Sequence, residues 1–311
     1  MSTLVSGRLA DASRGHARGG AVERWVDRNL RWLLPTPAVG TMALLLVFPL
    51  VYTAYLSLHE WYASSVRGPQ WVGLQNYARL FVHDERFWPA LVTTLIFTVG
   101  SVVATIVLGL GIAHLLIRSF PGRGLARTLM LLPMIATPVA MALVWMTMMS
   151  PTIGVLNWFL SCVGLPPSAW VSSPRSVIAA LLLVETWMWT PMTTLICLAG
   201  LAALPGEPFE SARIDGASGR QVFWHITLPL LRATLVIAML FRTIDALKVF
   251  DIVYVMTEGG PGFSSETLNL YVFQTSFKYL NLGYASALIV VFFALIAGAS
   301  LLLIRVRRAA W

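Results

Sequence analysis

Six long apolar stretches constrain the fold of this chain more than any other feature of its sequence. They run approximately over residues 38–58, 90–117, 125–149, 177–201, 230–255 and 284–304. A bilayer core about 30 Å thick is crossed by a helix of roughly 20 apolar residues, so each stretch is long enough to span it. The runs are too long and unalternating for barrel strands, and a helix satisfies its own backbone groups in lipid. The sequence therefore predicts an all-α polytopic membrane protein with six transmembrane helices.

Basic residues are distributed by loop rather than gathered into one patch. The net charge of +8 could indicate nucleic acid, but 57% of the residues are hydrophobic and only 12% are charged. Most arginines fall in the N-terminal tail, the second and fourth loops and the C-terminal tail: Arg8, Arg14, Arg18, Arg24, Arg28, Arg31, Arg118, Arg123, Arg127, Arg213, Arg220, Arg232, Arg305, Arg307 and Arg308. The intervening loops hold Arg67, Arg79, Arg86, Arg175 and Lys278. This positive-inside pattern predicts cytoplasmic termini, with lipid rather than nucleic acid as the surrounding partner.

The domain organisation follows from the spans. We expect a cytoplasmic N-terminal tail at residues 1–35, a transmembrane domain at 36–304 with a cytoplasmic loop at 202–229, and a cytoplasmic tail at 305–311. The Arg-bearing N-terminal segment lacks a short apolar core followed by a small-residue cleavage site, so no removable signal peptide is expected.

Motifs for catalysis, metal binding and nucleotide binding are absent from the sequence. Cys162 and Cys197 predict no disulfide framework, and neither clusters with His at a metal-ligand spacing. The glycine-rich turn at residues 258–262 lacks the G-x-x-x-x-G-K-[ST] arrangement of a phosphate-binding loop. We therefore expect that this chain is not an enzyme and itself binds no metal and no cofactor.

The fourth loop is predicted to form two short helices joined by a bend. Pro208 suits a first helical turn, and Gly216 suits a helix end. Ser218 and Gln221 form a capping-box pattern for the second helix, which Pro229 is expected to close. The loop also carries many apolar residues: Phe209, Ala212, Ile214, Ala217, Val222, Phe223, Trp224 and Ile226. Such a surface indicates either a protein partner or an interfacial helix lying on lipid.

This loop also carries a specific motif. Glu210-Ser211-Ala212, then Gly216, then the segment 226–229 (Ile-Thr-Leu-Pro), resembles the EAA motif of binding-protein-dependent ABC importer permeases, with Ser211 in place of the usual alanine. Further similarities are the segment 72–77 (Val-Gly-Leu-Gln-Asn-Tyr), Phe250-Asp251 and the turn at 259–261. Together they are similar to the carbohydrate branch of that family, the maltose and trehalose type.

The resemblance implies a type I ABC importer permease that carries half of the passage for a di- or oligosaccharide. It implies a second homologous permease, two cytoplasmic ATPase subunits that hold ATP and magnesium, an external binding protein or lipoprotein, and the bacterial inner membrane. The first loop helix would dock in an ATPase groove, with Glu210 as the coupling acid. The implied coupling residues are Glu210, Ser211, Ala212, Asp215, Gly216, Ala217, Ile226, Leu228 and Pro229.

Charges within the fifth and fourth spans form a second candidate site. Arg242, Asp245, Lys248 and Asp251 alternate in sign at intervals of three residues, which fits either an ion-pair ladder or a polar wall of the transport path. Sugars need hydrogen-bonding groups beside aromatic faces. Glu185 could join one of two tryptophans for this purpose, since Trp187 and Trp189 do not both share its helix face. The predicted pathway residues are Glu185, Trp187, Arg242, Asp245, Lys248 and Asp251.

Prolines inside the apolar stretches predict bends. Pro133 and Pro138 lie in the third span and Pro191 in the fourth. Two rival functions use the same carboxylates: a proton-coupled secondary transporter, and a membrane-embedded transferase with Glu185, Asp245 or Asp251 as acid or base.

Overall fold

The computed structural model describes residues 21–309. Residues 1–20 and 310–311, including the tail arginines Arg8, Arg14 and Arg18, lie outside the described residues. The chain divides into two compact units, Met1–Tyr55 and Leu56–Trp311.

The first unit contains α1 (Ala21–Leu33) and nearly all of α2 (Thr36–Leu56). The apolar side chains of α2, among them Leu44 and Phe48, are exposed along the helix. A helix that is apolar on all faces needs lipid or another protein around it. Helix α2 is therefore long and apolar enough to be a membrane span.

The second unit is a helical bundle with one two-stranded sheet in the described part of the chain. Strand β1 (His59–Glu60) pairs antiparallel with β2 (Gln70–Trp71). The helices are α3 (Gln75–Ala78), α4 (Phe87–Leu116), α5 (Arg123–Ile135), α6 (Pro138–Met148), α7 (Val155–Cys162), α8 (Val177–Ala202), α9 (Glu207–Ile214), α10 (Gly219–Val222), α11 (Leu228–Leu247), α12 (Asp251–Thr257), α13 (Leu268–Phe273) and α14 (Leu282–Ala309). A 3₁₀ turn covers Trp170–Ser172, and π turns cover Arg79–His83, Phe223–Thr227 and Gln274–Lys278.

Helices α4 and α8 pack along each other at the centre of this unit, and α11 packs against both. Phe97 and Leu181 are fully buried in the main hydrophobic cluster. At Gly109 a Cβ atom would come within 2.8 Å of Thr193, so only glycine allows this close approach of α4 to α8. Several of the polar groups described below lie on these two helices.

The predicted all-α membrane fold is confirmed, and the third span differs in detail. Five helices in the described chain are long and apolar enough to span a membrane, and the pair α5–α6 brings the number to six if it counts as one bent span. The pair meets at an angle of 96°, with Pro138 as the first residue of α6. The predicted bend at Pro138 is confirmed. Pro133 and Pro191 instead lie inside α5 and α8, which continue through them.

The fifth span lies further toward the N-terminus than predicted. Residues Gly219–Leu247 form one helical run, so the prediction that Pro229 closes the preceding helix is wrong. The π turn before Pro229 shifts the hydrogen-bond register, since the Leu228 N–H donates to the Phe223 carbonyl. This register accommodates the proline in the first turn of α11. Helix α11 ends at Leu247, and the helix restarts as α12 at Asp251.

Candidate functional site

A buried ion pair joins three helices at the centre of the bundle. The Arg242 Nη2 group on α11 donates to Glu185 Oε1 on α8 at 2.8 Å and to Ser101 Oγ on α4 at 2.7 Å. The Arg242 side chain is 1% exposed. Its guanidinium carbon lies 5.1 Å from the ring centroid of Trp189. Because an unpaired charge in an apolar bundle is costly, the pair neutralises both groups and fixes these helices together.

The predicted ion-pair ladder along the fifth span is wrong at Arg242. Its partner is Glu185 on another helix, because Arg242 lies on the face of α11 that packs into the bundle. Only Lys248 Nζ and Asp245 Oδ1 form the pair that the spacing predicts, at 3.8 Å. Asp251 is exposed and has no ion-pair partner in the described chain.

A cavity of about 210 Å³ adjoins this ion pair. Its lining residues are Pro138, Glu185, Met188, Trp189, Asp245, Lys248, Val249, Phe250, Asp251 and Ile252. Four of the six predicted pathway residues therefore line one cavity, and Arg242 contacts it through Glu185. The break between α11 and α12 carries part of the wall, and the start of α6 carries another part.

Trp187 lies on a different face of α8 from Glu185. It packs edge-on against Trp145 at 5.6 Å between ring centroids and lines an apolar groove with Leu108 and Pro191. Trp189 takes the place in the cavity that was predicted for Trp187. The signal was present in the sequence, because Trp189 is four residues from Glu185 and such residues share a helix face.

The first helix, the turn and the capping box predicted for the fourth loop are confirmed, whereas the second helix is the beginning of the helical run Gly219–Leu247. Helix α9 has Pro208 in its first turn, and Gly216 follows it with a φ of +72°. The Ser218 side chain accepts from the Gln221 N–H, and Gln221 Oε1 accepts from the Ser218 N–H at 2.8 Å. Both orphan groups at the start of the second helix are thereby satisfied.

The loop presents an exposed acid beside exposed apolar side chains. The Glu210 side chain is exposed and forms no hydrogen bond or ion pair with any described residue, and Ile214 is 87% exposed. Phe223 anchors the loop by packing edge-on against His114 of α4 at 5.4 Å between ring centroids. Of the other predicted coupling residues, Ser211, Asp215, Gly216 and Pro229 are exposed, Ala217, Ile226 and Leu228 are partly buried, and Ala212 is buried.

A second polar cluster lies where α4 begins, and sequence reasoning missed it. Arg86 donates to both oxygens of Glu266 and to Gln274 at 2.8 Å and Tyr279 at 3.2 Å. Asp84 accepts from the Tyr271 hydroxyl. We call the following five residues the Arg86 cluster: Arg86, Glu266, Tyr271, Gln274 and Tyr279. Asp84 is not counted in it. No sequence signal could have paired Arg86 with Glu266, because 180 residues separate them.

Electrostatics in the Arg86 cluster favour its present protonation states. Burial opposes the charge of Arg86, but the hydrogen bond and attraction of Glu266 outweigh it and raise the pKa of Arg86. Burial, and then the bond to Asp84, raise the pKa of the Tyr271 phenol. The cluster therefore has a structural role, holding the loop before α4 against the segment around α13.

The described residues show no group of three or more His, Cys, Asp or Glu side chains placed to hold a metal ion. Cys162 is exposed and Cys197 is buried, and both are free thiols.

An apolar helical bundle with a buried polar centre and an exposed loop helix fits the class of membrane transport permeases. The chain belongs to the family of binding-protein-dependent transport system inner membrane components, whose profile matches residues 105–308. It is thus a permease component of an ABC importer, a transport subunit of the membrane.

Named relatives cover nearly the whole chain. The trehalose/maltose transport system permease protein MalF of Thermococcus litoralis is 36% identical over 288 residues, 92% of this chain and 96% of its own length. The sulfoquinovosyl glycerol transport system permease protein SmoG of Agrobacterium fabrum is 38% identical over 279 residues, 88% of this chain and 89% of its own.

A solved structure has the same fold. A chain of the bacterial ABC transporter involved in the import of the acidic polysaccharide alginate matches with a TM-score of 0.78 at 20% identity. The match covers 93% of this chain and 98% of that one.

Proposed function

We propose that this chain forms one half of the membrane passage of an ATP-driven importer for a di- or oligosaccharide. The observation that carries the proposal is the cavity beside the Arg242–Glu185 pair. There Asp245, Lys248 and Asp251 lie next to the ring of Trp189. Hydrogen-bonding groups beside an aromatic face are what a sugar needs, and the two named relatives are permeases for sugar-containing solutes.

The passage needs a second permease, which we propose is a homologue of this chain. Within this chain the cavity is lined by α6, α8 and the α11–α12 break, which make up one part of a passage wall. An external binding protein or lipoprotein would deliver the sugar, in keeping with the family to which the chain belongs. In this arrangement the protein spans a bacterial inner membrane with both termini in the cytoplasm.

Coupling to ATP would run through α9. An exposed carboxylate without a partner in the described chain, next to an exposed isoleucine, suits a groove that offers a basic group and an apolar wall. We propose that Glu210 and Ile214 dock there on each of two cytoplasmic ATPase subunits, which hold ATP and magnesium. The rigid run from Gly219 to Leu247 would then carry movement of the loop to Arg242 and the cavity.

Reconstituted transport tests this function. The complex, with its binding protein, is placed in proteoliposomes and uptake of labelled trehalose, maltose and maltotriose is measured with and without internal ATP. We expect ATP-dependent uptake that a protonophore does not abolish. Uptake that follows a proton gradient and ignores ATP would instead identify a secondary transporter, and sugar transfer to lipid would identify a transferase.

Glu210→Ala tests the coupling role. We expect loss of uptake and of sugar-stimulated ATP hydrolysis, with the complex still assembled. The matched control is Glu207→Ala, which removes an exposed acid from the same helix. Equal activity of the two variants would refute the role of Glu210.

A further inference from the structure

Four aromatic side chains form a continuous row that starts at the cavity. Phe250 lies 5.2 Å from Tyr254 and 4.9 Å from Phe273 between ring centroids. Tyr254 lies 5.2 Å from Phe273, and Phe273 lies 5.1 Å from Phe277. We call these four residues the aromatic row. Each ring is thus in contact with the next, from one end of the row to the other.

Helical periodicity builds the row from two pairs. Phe250 immediately precedes α12 and Tyr254 lies one turn later, with their rings nearly parallel at 11°. Phe273 ends α13 and Phe277 lies one turn later in the following π turn. Residues four apart share a helix face, so each pair presents its rings on one side, and packing of the two segments joins the pairs.

Burial decreases along the row. Phe250 lines the cavity beside Trp189, and Phe250 and Phe273 are partly buried against the main hydrophobic cluster. Tyr254 is 37% exposed and Phe277 is 70% exposed. The Tyr254 hydroxyl bonds to no residue in the described part of the chain. The row therefore leads from an exposed ring to the polar cavity, a gradient that core packing alone does not require.

We propose that the aromatic row is an entry track on which successive pyranose rings of a saccharide stack on their way into the cavity. This inference rests on the proposed sugar import. One face of a pyranose ring is covered by C–H groups, which pack on aromatic rings, while its hydroxyls bond polar groups at the edges. The Tyr254 hydroxyl supplies such a group on the row, and Asp245, Lys248 and Asp251 supply them at its inner end.

A row of this kind favours long saccharides over short ones. A disaccharide can occupy the cavity without covering the outer rings, whereas a longer chain covers both at once. Each aromatic contact is worth roughly a three- to tenfold change in affinity. Removal of the outer rings is therefore expected to affect uptake in proportion to saccharide length.

The test uses Tyr254→Ala, Phe277→Ala and the double variant in the reconstituted complex with its binding protein. Initial uptake rates of labelled maltose, maltotriose and maltohexaose are measured over a range of concentrations. For each single variant we expect KM for maltohexaose to rise about three- to tenfold, with a smaller rise for maltose. Phe277→Trp keeps an aromatic face and should restore KM.

The matched control is Trp158→Ala on α7, which removes an aromatic side chain that is 60% exposed and outside the row. It should leave KM for every saccharide unchanged. Basal ATP hydrolysis, subunit assembly and melting temperature are recorded for all variants. They are expected to match the wild type, because the removed rings are exposed.

Two results would overturn the entry track. One is a double variant whose KM values equal those of the control. The other is a variant that loses its partner permease on purification, which would identify the row as a subunit interface. If the wild-type complex imports none of the saccharides, the proposed function fails together with the track. Normal saccharide import by the double variant contradicts the track alone.

Discussion

Two arginine–glutamate pairs hold this molecule together, and their surroundings differ. Arg242 and Glu185 are 1% and 4% exposed, and Arg86 and Glu266 are 23% and 2% exposed. Every guanidinium nitrogen of Arg86 donates to a described acceptor, whereas Nε and Nη1 of Arg242 find none. Buried donors without a protein partner are rare in native structures. Both pairs hold separate segments of the chain together, and the Arg242–Glu185 pair also borders the candidate transport site.

The largest expected effect comes from breaking the Arg242–Glu185 pair, which we call the inner pair. Glu185→Ala leaves a buried guanidinium uncompensated, so we expect a loss of about 3–5 kcal/mol of stability. The apparent melting temperature of the purified complex measures it. The double variant Glu185→Met/Arg242→Met should recover most of the stability but not the transport. A single variant as stable as the wild type would mean that the pair is not buried in the assembled protein.

Breaking the Arg86–Glu266 pair, which we call the outer pair, should cost less stability. Arg86→Ala vacates a side chain that is 23% exposed, so water can reach the Glu266 carboxylate, and we expect a loss of about 1–2 kcal/mol. Limited proteolysis of the segment around α13 reports where the loosening occurs. Arg79→Ala is the control, because the exposed Arg79 side chain forms no hydrogen bond or ion pair with any described residue, and its guanidinium carbon lies 4.8 Å from the centroid of the Tyr284 ring. Equal destabilisation by both variants would remove the distinction between bonded and surface arginines.

Alkaline pH should weaken the Arg86 cluster through Tyr271. Burial and the Asp84 bond raise the pKa of this phenol in the folded protein. The stability that the protonated Tyr271 phenol contributes is complete below its unfolded-state pKa of about 10. It declines as the pH rises toward the higher pKa of the folded state. Between pH 8 and 11 the wild type should therefore lose about 1 kcal/mol more free energy of unfolding than Tyr271→Phe, and its melting temperature should fall more steeply. Tyr279→Phe, which alters a more exposed hydroxyl, is the control, and identical pH profiles would refute the argument.

The smallest expected effect on stability is at the cavity rim. Lys248 and Asp245 form a half-exposed pair at 3.8 Å, and such pairs contribute below about 1 kcal/mol. Lys248→Met should leave the melting temperature nearly unchanged while raising KM for the sugar. A large drop in melting temperature would show that the rim, like the inner pair, is structural.

Local sequence patterns predicted much of this molecule. The apolar runs, the turn at Gly216 and the capping box of Ser218 depend on residues close together in the chain. The structure has the turn and the capping box, and it has the runs with the fifth displaced and the third bent. Glu185 and the charges of the fifth span were grouped as one candidate site, and Glu185, Asp245, Lys248 and Asp251 line one cavity. The choice of Trp187 over Trp189 was wrong, although helical spacing alone favoured Trp189.

Long-range packing decided what local patterns could not. The Arg242–Glu185 bond spans 57 residues and the Arg86–Glu266 bond spans 180, and no periodicity links such positions. The break at residues 248–250 lies beside the polar cavity, and the sequence pattern did not predict it. Hydropathy and helical propensity act over one or two turns and determined the spans and the loop. The tertiary structure alone determined which buried charges form ion pairs. A buried charge loses its hydration, so it is stabilised only by a partner that another segment of the chain brings to it.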